Sequence, residues 1–314
     1  MRMKKLLSAL CTLVLTTWPL SSVLAAADGA LTGHFTINEK GDYVVFSQGN
    51  LQYQASTGTW QFAAEQYTVL GEAAGNATAT GRDTQEKWID LFGWGTGDAP
   101  YKASTSDGDY AVFTDWGTNA ISNGGSTAGI WRTLTQDEWA YLLTQRTNAS
   151  GLRGQASVNG VKGYLLLPDG FVLPDGYGFF PNPGNWTANT YTLEQWSAMQ
   201  TAGAVFLPCG GFRDGDEVNM EDTGSPIGSY WSATAEGSSE AYSFYVSADG
   251  AEMTTNSLYY GRSVRLVNVQ SVPTSTGDIQ SSNIPCIKVL HNGKILINQN
   301  GEKYDVSGKK VSAQ

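Results

Sequence analysis

Trp131-Arg-Thr-Leu-Thr-Gln-Asp-Glu-Trp139 is the stretch on which the fold assignment turns. Thr135 and Glu138 form a capping-box pair: the hydroxyl accepts from first-turn amides and the carboxylate reaches back to the cap amide. Trp139, Leu142 and Leu143 follow at helical spacing, so the pattern predicts a short amphipathic helix. Thr192-Leu-Glu-Gln195 repeats the signal, with Trp196 and Met199 behind it and Gly203 as its stop. A third short helix is expected over Thr84–Leu91. Upstream, Asp42–Ser47, Asn50–Gln54 and Thr59–Phe62 read as strands separated by glycine-containing turns. Downstream, Ala241–Ser247 alternates, which predicts a strand burying Tyr242, Phe244 and Val246 and leaving Tyr245 outward. Tyr260–Val267 is expected to be the closing strand, with Val264 and Leu266 inward. Two clear helices among many short strands and long glycine-rich connections predict an α+β domain.

The 314 residues carry 19 Lys and Arg against 29 Asp and Glu, a formal net charge of −10. The charge is uneven. Arg2, Lys4 and Lys5 precede an apolar run, Leu6–Leu24, that ends in Ala25, Ala26 and Ala27, the pattern of a signal peptide over 1–27. Residues 271–283 have a linker's composition. Beyond Gly277 the chain holds five lysines against three acidic residues, or +2. The body from Asp28 to Gly277 therefore holds 11 basic and 26 acidic side chains, or −15. Such a body offers no basic face for nucleic acid. The expected organisation is a signal peptide (1–27), a body (28–270), a linker (271–283) and a short β tail (284–314), exported and without a membrane span after signal removal.

The sequence has 10 Trp, 15 Tyr and 37 Gly but only 2 His, His34 and His291. A body with so little histidine argues against Ser-His-Asp and Cys-His catalysis and against His-ligated zinc. Phe92-Gly-Trp-Gly-Thr-Gly97 lacks the strand-to-helix setting of a dinucleotide site. Asp214, Asp216, Glu217, Glu221 and Asp222 form an acidic loop. It reads as a solvated loop, with a glycosidase carboxylate pair or a calcium site as alternatives.

Four motifs carry a family resemblance: Trp131–Trp139, Phe206-Leu-Pro-Cys-Gly-Gly-Phe-Arg-Asp-Gly215, Gly228-Ser-Tyr-Trp-Ser-Ala233 and Gly261-Arg-Ser-Val-Arg-Leu-Val267. Their order resembles the Fibrobacter succinogenes major paralogous domain and the C-type lectin-like domains of the formylglycine-generating-enzyme type. The latter include the variable proteins of diversity-generating retroelements. The resemblance implies a C-type lectin-like fold. It places the ligand-facing positions between Thr234 and Arg262, at Tyr245, Asn256, Tyr259, Tyr260 and Arg262. Trp231, Arg213, Asp214 and Arg265 fall on framework positions. The cysteine pair of the oxidising enzymes and the calcium-lectin sugar motifs do not occur, so no catalytic residue, metal or cofactor is assigned. The tail segment Lys303–Val311 resembles the end of a type IX secretion sorting domain.

The expected function is an exported or surface binding protein that recognises an extracellular protein or glycan through aromatic and polar loops. A carbohydrate-active enzyme and a structural component of a surface assembly are its alternatives.

Overall fold

Arg132 fixes the start of the first helix. Its guanidinium donates to both carboxylate oxygens of Glu138, at 2.7 and 2.6 Å. The same carboxylate accepts from the Thr135 amide at 2.9 Å, and the Thr135 hydroxyl accepts from the Glu138 amide at 3.3 Å. Helix α1 runs Gln136–Thr144 and buries Trp139, Leu142 and Leu143. Helix α2, Leu193–Thr201, is capped in the same way by Thr192 and Gln195 and buries Trp196 and Met199. It stops at Gly203, whose φ of 97° suits only glycine.

The computed structural model describes residues 28–72, 74–78, 81–270, 287–291, 294–299 and 302–304. The expected signal peptide, the linker, Cys11 and Cys286 lie outside them. The chain separates into two compact units, Met1–Val272 and Pro273–Gln314. In the second unit Ile287–His291, Lys294–Gln299 and Glu302–Tyr304 pair as an antiparallel three-stranded sheet.

The first unit is β-rich, which corrects the expected α+β, C-type lectin-like fold. Among the described residues its two α-helices have nine residues each, while its strands are spread over several small sheets. The capping boxes mark true helix starts, but neither helix continues beyond three turns. A four-stranded sheet orders Thr190–Tyr191, Arg153–Val158, Val161–Leu166 and Val205–Pro208. A three-stranded antiparallel sheet places Glu240–Ser247 between Gly228–Glu236 and Gly250–Ser257. Trp139 stacks on Phe244 with centroids 5.1 Å apart, which packs α1 onto that central strand.

Three local expectations also change. Thr84–Leu91 contains the short strand Trp88–Ile89 and no helix. The Asn76 side chain accepts from the amides of Asp90 and Leu91 at 3.0 and 3.1 Å, so these amides are bound outside any helical ladder. In Glu240–Ser247 both faces are covered: Ala241 and Ser243 are buried as well as Phe244 and Val246, while Tyr242 and Tyr245 are half-buried. A central strand has neighbours on either side, and loops cover its second face. Of the closing segment, only Val267–Gln270 forms a ladder strand, paired with Tyr43–Phe46. Val264 and Leu266 are fully buried, as expected.

Asp90 is the buried carboxylate of this unit. It accepts from Asn76 Nδ2 at 2.7 Å and from the Leu70 amide at 3.1 Å. Burial nevertheless outweighs these bonds and pushes its carboxyl up to about 6. The folded state therefore holds a proton that the unfolded chain releases near pH 4. Stability from this group is complete at low pH and falls as pH rises through about 4 to 6, by about 3 kcal/mol. Urea unfolding between pH 4 and 7 should show that fall, and Asp90→Asn should flatten it. A wild-type slope retained in the variant would assign the effect elsewhere.

Candidate functional site

Strand register assembles one wall of a cavity of about 500 Å³, a volume usual for small-molecule sites. Glu252, Thr254 and Asn256 alternate along Gly250–Ser257 and so share a face. They pair with Tyr245, Ser243 and Ala241 of the central strand. The opposite wall comes from two short hairpins, Phe212–Asp214 with Glu217–Asn219 and Glu221–Asp222 with Ser225–Pro226. Tyr260 and Arg262 complete the lining.

Four of the five residues expected to face ligand meet here: Tyr245, Asn256, Tyr260 and Arg262. Tyr259 does not line the cavity. Its ring lies 4.7 Å from that of Tyr260, and its amide donates to Asp107 Oδ1 at 3.4 Å. The hydrogen bond between the two hydroxyls, with partial desolvation, pushes the Tyr259 phenol up to about 12. Tyr259 thus supports Tyr260 from behind. Burial, reinforced by the Asp222 carboxylate, raises the Tyr245 phenol, so it remains a neutral donor at physiological pH.

Arg262 is only 4% exposed. Its guanidinium carbon sits 5.2 Å from the Trp231 ring centroid, 5.6 Å from Tyr260 and 5.8 Å from Phe212. Nη1 donates to the Ser229 hydroxyl. From there a polar chain continues through Ser243 to Asn256, at 3.3 and 3.2 Å. Desolvation lowers the Arg262 guanidinium to about 10, which leaves it cationic at neutral pH. Ring faces stabilise a cation held in this way.

The framework residues behave differently. Trp231 is buried and its indole donates to the Phe92 carbonyl at 2.8 Å. Arg213 donates to the carbonyls of Gly215 and Lys102, at 2.9 and 3.2 Å. Arg265 donates to Asn50 Oδ1 at 3.2 Å and Gln66 Oε1 at 2.6 Å.

The acidic loop divides. Asp216 pairs with Arg82 at 3.0 Å. Asp214 and Glu217 face each other across a hairpin. Glu221 and Asp222 line the cavity, together with Glu252. Among the described residues, no three His, Cys, Asp or Glu side chains cluster as metal ligands. Sequence reasoning missed Phe212, Asn219, Glu252 and Thr254 as lining residues. The alternation Glu252, Thr254, Asn256 was the available signal, but a stretch this polar does not announce a strand.

A family model described as a domain of unknown function (DUF8237) matches residues 185–267. That span covers α2, the three-stranded sheet and every residue lining the cavity. No curated protein matches the chain. No solved structure matches it either. Among the described residues, no helix is long and apolar enough to cross a membrane.

The two arginines predict stability effects of different size. Arg265→Met strands the buried Asn50 Oδ1 and takes one of the two bonds that Gln66 Oε1 accepts, and should cost about 2–4 kcal/mol in urea unfolding. Arg262→Met removes a desolvated cation with one hydrogen bond and should stay within about 1 kcal/mol of wild type. Equal losses in both variants would make Arg262 a framework residue.

Proposed function

We propose that this chain is an exported, non-catalytic binding protein that takes part of an extracellular glycan or protein into the cavity between its three-stranded sheet and the 212–226 hairpins. The observation that carries this reading is the convergence of Tyr245, Tyr260, Asn256 and Arg262 on one concave surface. Tyrosines offer broad, stiff contact area at low entropic cost, and the amide and carboxylates offer hydrogen bonds around it. Export rests on the basic, apolar and small-residue pattern of residues 1–27. The tail's likeness to a sorting segment supports delivery to the cell surface.

A second reading has one observation in its favour: Glu221, Asp222 and Glu252 share the cavity. Two carboxylates about 5 to 10 Å apart suffice for glycoside cleavage. Turnover of a bound oligosaccharide, lost in Glu252→Gln, would replace binding with hydrolysis as the function.

Purified protein should retain ligands from glycan arrays or extracellular protein panels. Tyr245→Ala combined with Tyr260→Ala should weaken that binding at least tenfold while the protein stays folded. Binding that survives the double substitution unchanged would place the site elsewhere.

A further inference from the structure

Arg262 has the least complete set of partners among the three arginines of this region. Arg213 and Arg265 each place both terminal nitrogens on protein oxygens. Arg262 uses Nη1 alone, on Ser229. Its Nε is buried without a hydrogen-bond partner, as are those of Arg213 and Arg265, so the difference lies at the terminal nitrogens. Nη2 of Arg262 has no partner among the described residues and, unlike Nε, is not closed off by protein. No ion pair found among the described residues involves Arg262, although three carboxylates line the same cavity. A largely desolvated cation with one terminal nitrogen unpaired is costly unless something completes it.

That open nitrogen has a defined chemical complement. A carboxylate oxygen is the strongest acceptor for the N–H groups of Nη2, and the pairing is strongest where water is excluded. The surroundings say what carries the carboxylate. Tyr245, Tyr260 and Phe212 offer flat apolar area beside the guanidinium. Asn219, Thr254 and Asn256 offer hydrogen bonds suited to hydroxyl groups. Glu221, Asp222 and Glu252 accept from hydroxyls and repel negative charge, so a ligand carboxylate is favoured only in contact with the guanidinium itself. A molecule with one carboxylate, several hydroxyls and an apolar ring face meets all of these conditions.

We infer, building on the binding role proposed above, that the ligand is a glycan carrying a single acidic sugar residue whose carboxylate pairs with Arg262. The body's −15 charge and the acidic lining disfavour polyanions, so an isolated uronate or sialate is selected over a polyuronate.

Calorimetry on the full wild-type chain tests this. The probes are trisaccharides ending in one glucuronate or one N-acetylneuraminate, each beside its carboxyl-reduced, uncharged counterpart. At least one acid should bind, with affinity falling tenfold or more on reduction. Arg262→Met should lose at least the same factor for the acid and much less for the reduced sugar. If that variant does not fold, the acid-against-reduced comparison on wild type decides alone. Equal affinity for acid and reduced forms overturns the carboxylate assignment, yet leaves the binding role standing if the Tyr245→Ala, Tyr260→Ala variant loses both. No binding of either acid overturns the inference, while the binding role is still judged on neutral glycans and proteins.

Discussion

One extended segment, Gly261–Val267, joins pieces of the body that are otherwise far apart in sequence. Gly261 exchanges two backbone hydrogen bonds with Arg213, and Arg262 exchanges two with Phe92. Ser263 accepts from the Trp231 amide and donates to the Ser229 carbonyl. The Val264 and Leu266 carbonyls accept from Leu51 and Ser47, and Val267 exchanges two bonds with Arg132. A buried backbone group left unpaired costs as much as a lost hydrogen bond. The 92, 213, 229–231, 47–51 and 132 regions must therefore all arrive before this segment is satisfied. That requirement explains why it is irregular: a strand within one ladder has two neighbours, and this one serves at least five.

Glycine opens the segment for a steric reason. A Cβ on Gly261 would lie 2.8 Å from Arg213 Nε and 2.9 Å from Arg213 Cβ. The close approach brings the 212–219 hairpin against the residue that carries Arg262. The same packing that closes the body therefore sets one wall of the cavity. Side chains alternate along the segment into separate environments: Val264 and Leu266 enter the apolar cluster around Trp116 and Trp231, whereas Arg265 faces Asn50 and Gln66. Arg262, three residues before Arg265, ends up among rings with a single hydroxyl.

Local signals were legible in the sequence because they act over a few residues. The capping boxes at Thr135 and Thr192 need only their own first turn, and both stand as read. The strand expected over Asn50–Gln54 forms as Leu51–Gln54, and Thr59–Phe62 forms as read, the two joined by a turn. The fold class was not legible, because two helix starts carry no information about how short the helices are or how the strands distribute into sheets. Thr84–Leu91 misled for a related reason: the bond that decides it comes from Asn76, which periodicity does not see. The site was partly legible. Tyr245, Asn256, Tyr260 and Arg262 come together as named, but the assignment rested on motif order, and the facing hairpin wall required the register of strands that the sequence leaves ambiguous. Tyr259 fails by one residue: it sits in the turn that follows Gly250–Ser257, and its ring packs on Tyr260 instead of lining the cavity.

The charge distribution follows from the same architecture. A −15 body would be expected to repel anions, yet its deepest polar element in the cavity is a cation. At physiological ionic strength the screening length is about 8 Å, so scattered surface carboxylates act weakly on a group inside the cavity. The aromatic rings around Arg262 exclude water, which strengthens whatever acts at contact distance. Long-range repulsion then limits how much negative charge a ligand can carry, while short-range pairing decides where one such charge sits. An arginine placed this way adds little to folding, because desolvation opposes its contacts. Its position between Ser229 and the rings is better explained by what it presents to the cavity than by what it holds together.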